Sequence, residues 1–202
     1  MKILNLYAGV GGNRMYWGND HEITAVELNP SIAAAYKDMY PNDTVIVGDA
    51  HQYLLDHYKE FDFIWASPPC QSHSDIRRMG AQIGRYDAVF PDSKLWEEIV
   101  FLKHFAKGDW VIENVVPYYK PFIAPAFKLG SHIYWSNKML LDYGASTYRA
   151  HKTDNQKLSA LKGGVDLSKY KFEGIDKRQV LRNMVEPQEA LYIFQQITGL
   201  KQ

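Results

Sequence analysis

The sequence predicts an α/β domain built on a doubly wound, mostly parallel sheet, and three observations predict it. Five short apolar runs, at residues 2–7, 23–27, 44–47, 61–66 and 110–113, each have the length of a buried strand. Residues 30–39, 50–58 and 92–106 between them carry helical spacing, so strands alternate with the crossover helices that join parallel neighbours in a right-handed sense. The residues best suited to chemistry fall just after the runs, at the carboxyl ends of strands, where open α/β sheets bind ligands.

The elements follow in order. After the first strand come Gly9, Gly11 and Gly12, then a predicted helix start; the glycines allow either a tight turn or close approach of a ligand to the backbone. Glu27 closes the second strand, and Asn29-Pro30-Ser31 starts the next helix with proline in its first turn. Asp49 follows the third strand and Pro68-Pro69-Cys70-Gln71 the fourth. Pro91-Asp92-Ser93 starts the long helix that leads to the fifth strand, which Glu113-Asn114 ends. Beyond Pro117, residues 132–135 and 138–141 read as two short antiparallel strands, residues 145–178 are polar and weakly periodic, and residues 187–197 form a closing amphipathic helix. This divides the chain into a core at 1–142, a small insert at 143–177 and a returning segment at 178–202.

Composition narrows the class. A chain of 202 residues with 46% hydrophobic and 14% aromatic content forms one domain with a small appendage, which excludes disordered and collagen-like proteins. Basic and acidic residues balance at 23 each, so nucleic-acid binding must come from local charge. Residues 145–178 supply such a region, with eight Lys or Arg against four acids. A single cysteine excludes an internal disulfide framework and a Cys-rich zinc site, and points to a reducing compartment. No apolar run approaches the roughly 18 residues of a membrane span, and the N-terminus lacks a signal-peptide pattern, so the expectation is a cytoplasmic protein without membrane or metal.

Glu27 stands 15 residues after Gly12, near the place where nucleotide-binding α/β folds hold ribose hydroxyls. Asp49 is placed alike. Either acid can simply cap the helix after it, but together with the glycines they favour an adenosine-containing cofactor. Two prolines stiffen the turn before Cys70 and aim its thiol out of the sheet as an exposed nucleophile. Glu113, after an apolar run, is expected to be half-buried with a raised carboxyl pKa, suited to donating a proton; its alternative role is bonding backbone amides.

These motifs, in this order, resemble the cytosine-5 DNA methyltransferase family. The match runs through Leu6-Tyr7-Ala8-Gly9-Val10-Gly11-Gly12, Glu27-Leu28-Asn29-Pro30, Gly48-Asp49, Ser67-Pro68-Pro69-Cys70-Gln71 and Glu113-Asn114-Val115 to a last motif at residues 179–187, with its Asn183-x-Val185-x-Pro187 core. The resemblance implies S-adenosylmethionine as cofactor, held by Tyr7, Ala8, Gly9, Gly11, Gly12, Glu27, Leu28, Asp49, Ala50, Pro69, Asn183 and Val185. It implies Cys70 as the nucleophile on carbon 6 of a flipped cytosine in double-stranded DNA, with Glu113 holding the base and Asn114 shaping the loop beneath it. Gln71, Ser72, His73, Arg77, Arg78 and Arg85 would belong to a loop that closes over the base and contacts the DNA, and Arg149 and Lys152 of the insert would contact it too.

Two departures stand out. Where the family has a Gln-x-Arg-x-Arg segment, this chain has Gly130 and His132, so His132 either substitutes by donating a hydrogen bond or is simply a strand residue. The insert is also far shorter than the family's target-recognition region, which suits phosphate contacts over base reading and makes a homodimer or a partner chain an expectation. An amino methyltransferase remains open, because Ser67-Pro68-Pro69 also resembles the loop of those enzymes; so does a catalytically silent nucleic-acid-binding relative, and RNA in place of DNA.

Overall fold

A computed structural model describes residues 1–140, 159 and 162–200. The strands are β1 (Lys2–Leu6), β2 (Glu22–Glu27), β3 (Thr44–Val47), β4 (Phe63–Ala66), β5 (Asp109–Val115), β6 (Phe127–Leu129) and β7 (His132–Ser136). The helices are α1 (Pro30–Met39), α2 (Ala50–His57), α3 (Asp75–Gln82), α4 (Lys94–Phe105), α5 (Lys177–Asn183) and α6 (Pro187–Thr198).

One seven-stranded sheet has the order β3-β2-β1-β4-β5-β7-β6. Its first five strands are parallel, and β7 runs antiparallel to both β5 and β6. The chain winds outward from β1 to β3, then returns to place β4 on the other side of β1. Strand order reverses there, and the chain leaves β1 toward Trp17 on one face and β4 toward α4 on the other, which leaves a crevice at their carboxyl ends. This is the Rossmann-like, doubly wound arrangement that the sequence predicts.

Alternation of side chains assigns the two faces. Leu4, Leu6, Ile64 and Ile112 pack with Leu54 of α2 and Ile99 and Leu102 of α4. Their neighbours Ile3, Phe63, Trp65 and Val111 pack with Ile193, Phe194 and Ile197 of α6 and with Trp17. Trp17 stacks on Phe194 at a centroid distance of 5.1 Å, and Phe63 meets Phe194 edge-on at 5.3 Å. A third cluster joins Ile32 and Ala35 of α1 to Val165, Leu167, Val180, Leu181 and Met184, so the segment before α5 lies on α1. Behind the glycine loop, Arg14 pairs with Asp43 at 2.8 Å with both side chains almost fully buried, and the Tyr36 hydroxyl also donates to Asp43.

Caps set the helix starts. Asn29 Oδ1 accepts the Ser31 amide at 2.9 Å before α1, Asp49 Oδ1 accepts the His51 amide at 2.8 Å before α2, and Glu186 accepts the Glu189 amide before α6.

Three expectations are corrected. The partner of β7 is β6, which precedes it through the turn at Gly130, while residues 138–140 form no strand; Lys138 instead donates to Asp109 and to the Ile197 carbonyl. The stretch after Cys70, expected to be a loop, contains α3, whose Ile76 and Met79 face solvent, so its helical spacing marks no buried face. The glycine loop leads only to a single 3₁₀ turn, Asn13–Tyr16, because Trp17 then dives into the core.

Candidate active site

The carboxyl ends of the parallel strands open into a cavity of about 800 Å³, a size usual for cofactor sites. The loop after β1 forms one wall. Tyr7 takes φ +56°, a left-handed conformation that costs a non-glycine residue roughly 1–2 kcal/mol, and its hydroxyl donates to Glu98 of α4. Gly9 also has positive φ, and a Cβ there would meet no protein atom within 4 Å, so open space lies where a ligand can approach. Gly11 does not line the cavity. A Cβ on it would come within 2.4 Å of the Tyr40 ring, whose hydroxyl donates to the Gly11 carbonyl, so this glycine lets the loop pack down on α1.

Glu27, at the end of β2, accepts the Gly9 amide with one oxygen and the Asn29 amide with the other, both at 2.9 Å. Each carboxylate oxygen retains a lone pair for a hydroxyl in the cavity. Asp49 caps α2 with Oδ1 and meets Lys94 Nζ with Oδ2 at 3.1 Å; this ion pair holds its carboxyl below the usual range. Leu28, Ala50 and Pro69 complete this side, and Asn183 and Val185 line the cavity from the C-terminal segment. The separate roles expected of these residues therefore meet at one place. Their donor set, two carboxylates beside an exposed glycine backbone, suits an adenosine-containing group with ribose hydroxyls.

Cys70, Gln71, Glu113 and His132 line the same cavity. Asn114 joins the nucleophile turn to β5: its side-chain amide donates to the Pro68 carbonyl at 3.0 Å, fully buried, and its oxygen accepts the Val115 amide. Glu113 is 8% exposed, and His132 Nε2 lies 3.3 Å from Glu113 Oε1. Antiparallel pairing makes this contact, because the register sets Glu113 opposite Tyr134 and Val115 opposite His132, leaving Glu113 and His132 as diagonal neighbours.

The thiol expected to be exposed is partly buried instead. Burial and, second, the negative charge of Glu113 push its pKa up to about 11. A carboxylate and a thiolate disfavour one another in a cavity shielded from water, so the resting thiol is protonated.

The closing-loop residues have diverse fates. His73 is fully buried, its Nδ1 at 2.6 Å from the Tyr119 hydroxyl and its ring against Trp96. That burial corrects its expected contact with DNA and explains why its imidazole pKa is lowered. Ser72 Oγ accepts the Asp92 amide, Arg78 pairs with Asp75 at 2.7 Å, and Arg77 lies over the Tyr86 ring, while Arg85 is exposed. Arg149 and Lys152 lie outside the described residues.

Several cavity residues had no signal beyond a helix cap or a polar loop. Asp92 and Lys94 come from the start of α4, and Gly174 and Ile175 come from the segment read as a polar insert suited to phosphate contacts. Glu173 anchors that segment through its carbonyl, which accepts Asn29 Nδ2, and its amide, which donates to Ser31 Oγ. Three of its lysines have internal partners: Lys169 pairs with Asp38, Lys177 donates to the Ser168 carbonyl and Lys162 to the Met184 carbonyl. Among the described residues no group of His, Cys, Asp and Glu could hold a metal, and no helix is long and apolar enough to cross a membrane.

The type II methyltransferase M1.HphI of Haemophilus parahaemolyticus is 28% identical over 121 residues, 55% of this chain and 32% of that protein. A tRNA (cytosine(38)-C(5))-methyltransferase of Spodoptera frugiperda is 37% identical over 76 residues, 35% of this chain and 23% of that protein. This chain thus spans a third or less of the length of these relatives. A solved structure of a Spodoptera frugiperda DNMT2 mutant superposes with a TM-score of 0.40 at 26% identity, covering 56% of this chain and 35% of that one. The model of the C-5 cytosine-specific DNA methylases matches residues 1–115, from the first strand through Glu113 and beyond half of the chain, and the protein belongs to that family.

Proposed function

We propose that this protein methylates carbon 5 of cytosine in DNA, with Cys70 as nucleophile. The observation that carries the reading is the Asn114–Pro68 hydrogen bond, which ties Cys70 and Glu113 to one cavity shared with the glycine loop and Glu27. S-adenosylmethionine is the cofactor of the family, and it supplies an electrophilic methyl group. Tyr7, Gly9, Glu27 and Asp49 would hold it.

Carbon 5 of cytosine is a weak nucleophile, and the chain's own residues raise its reactivity. Cys70 releases its proton to solvent and its sulfur forms a bond to carbon 6, which moves electron density toward carbon 5. Glu113, a carboxylate at rest, takes up a proton from solvent as the base binds, donates it to ring nitrogen 3 and so holds the adduct neutral there. His132 beside it steadies the carboxyl. Once carbon 5 is methylated, its proton leaves to solvent, the sulfur–carbon 6 bond breaks, the thiolate departs and ring nitrogen 3 returns its proton to Glu113. The ring must lie face-on to the sulfur, so the base is taken out of the stack.

Incubation with S-adenosylmethionine and an oligonucleotide containing 5-fluorocytosine tests this, since fluorine cannot leave as the proton does and the adduct persists. A covalent complex with duplex DNA that vanishes in Cys70→Ala supports the proposal, and transfer that survives Cys70→Ser refutes the thiol mechanism. The relative that acts on tRNA motivates an RNA arm: an adduct with RNA alone would replace DNA as the substrate.

A further inference from the structure

Three elements of the cofactor cavity meet at one buried carboxylate outside it. Glu98 of α4 is fully buried among apolar neighbours, Leu95, Ile99 and Leu102. Its Oε1 accepts the Tyr7 hydroxyl and lies 3.0 Å from Nδ1 of His51 in the first turn of α2, while its Oε2 has no hydrogen-bond partner. An apolar side chain would fill this place at less cost, because a carboxylate withdrawn from water is unfavourable unless its partners compensate. Those partners sit in sensitive positions. Tyr7 is the one non-glycine residue at positive φ among the described residues, and it lines the cavity. His51 adjoins Ala50 and the Asp49 cap, which line it too, and Lys94, one turn before Glu98, bridges to Asp49.

We propose that Glu98 is a positioning residue for cofactor binding: by accepting the Tyr7 hydroxyl and His51 together, it holds Tyr7 in the left-handed conformation that leads the chain into the glycine wall. The proposal rests on the reading of this cavity as the S-adenosylmethionine site. It assigns a purpose to the hydroxyl that distinguishes Tyr7 from phenylalanine, since a bare ring could pack against a ligand but could not reach a carboxylate.

The tether is sensitive to pH. Glu98 and Glu97 of α4 face His51, the second at 3.7 Å from Nε2; Lys94 opposes them, and Asp49 caps its helix. The bond to Glu98 is the largest influence and raises the imidazole pKa above 6.5. A raised value means that the charged His51–Glu98 bond is complete below 6.5 and is lost as pH rises through the folded-state value. Cofactor affinity therefore falls as pH rises through that window. Tyr7, whose own pKa is raised by burial and by Glu98, stays a donor throughout.

The test uses the full chain. Calorimetric titration with S-adenosylmethionine at pH 5.5 and 8.5 is paired with amide exchange of Gly9 and Gly11 in the free protein, both of which are hydrogen-bonded at rest. Tyr7→Phe and Glu98→Gln should each weaken binding about tenfold at the lower pH, speed exchange at both glycines and flatten the pH dependence. Tyr7→Phe keeps the ring and preserves the test if Glu98→Gln does not fold. Affinity within twofold of wild type, or unchanged exchange in Tyr7→Phe, overturns the tether. If wild type binds no S-adenosylmethionine, the cofactor reading falls and the proposal with it, whereas a tether failure leaves wild-type binding intact.

Discussion

Glu113→Gln should make Cys70 more acidic. The thiol pKa is pushed from 9.0 to about 11, first by burial and second by the Glu113 charge, and an amide at residue 113 removes the second cause while leaving the shape of the cavity. At pH 8 a thiol of pKa about 11 is thiolate in roughly one molecule in a thousand. Because the charge is the smaller of the two causes, Glu113→Gln raises that fraction, by less than the roughly hundredfold that the whole shift represents. Alkylation by iodoacetamide reads it directly, because the chain has one cysteine and mass spectrometry need follow one site. The rate measured from pH 7 to 10.5 should move its apparent midpoint downward in the variant. An unchanged or higher midpoint refutes the coupling between the two groups. A wild-type midpoint near 8.5 refutes the account of the resting thiol as well. The same variant loses the donor to ring nitrogen 3, so it should alkylate faster while trapping 5-fluorocytosine more slowly. A general loosening of the fold would accelerate alkylation but would also lower the unfolding midpoint.

Further outcomes are expected from residues that hold the site together. Asn114→Ala leaves the buried Pro68 carbonyl without its donor, which costs about 1–3 kcal/mol in urea unfolding and slows adduct formation by releasing the Cys70 turn. In Gly12→Ala the new methyl would stand 2.4 Å from Met184 Cγ and 2.5 Å from the Val185 carbonyl oxygen, so thermal unfolding should show about 1–3 kcal/mol of overpacking and S-adenosylmethionine titration a weaker site. Asp43→Asn strands a buried guanidinium, and denaturant titration should show a loss of about 3–5 kcal/mol.

Much of this architecture is legible in the sequence because the parallel strands are buried on both faces. Residues such as Ile3-Leu4 and Phe63-Ile64-Trp65 are apolar without alternation, and the runs announce themselves. Polar residues that interrupt the apolar pattern at strand ends, Glu27 and Glu113, then mark the cavity. The unread parts lack such a signal. The short β6 has one buried residue, Leu129, and exists through pairing with β7. Helix α3 buries Gly80 alone among its residues, against the Tyr86 ring, so the helical spacing of Ile76 and Met79 meets no core and does not announce an element of the fold. His73 looks like a polar loop residue, and only the distant Trp96 and Tyr119 enclose it. Glu98 reads as the polar side of an amphipathic helix, since its partners at residues 7 and 51 are far away in the chain.

The cavity draws its walls from both ends of the described chain, with Tyr7 to Asp49 on one side and Gly174 to Val185 on the other. A ligand that touches both sides binds the docked arrangement better than one in which the later segment has lifted from α1. By mass action its binding free energy is then added to that docking, about 2.7 kcal/mol when the ligand is present at a hundred times its Kd. Cofactor supply thus sets how firmly residues 174–185 lie on α1, and protection of those amides from exchange should rise with ligand concentration while the interior of the sheet changes least.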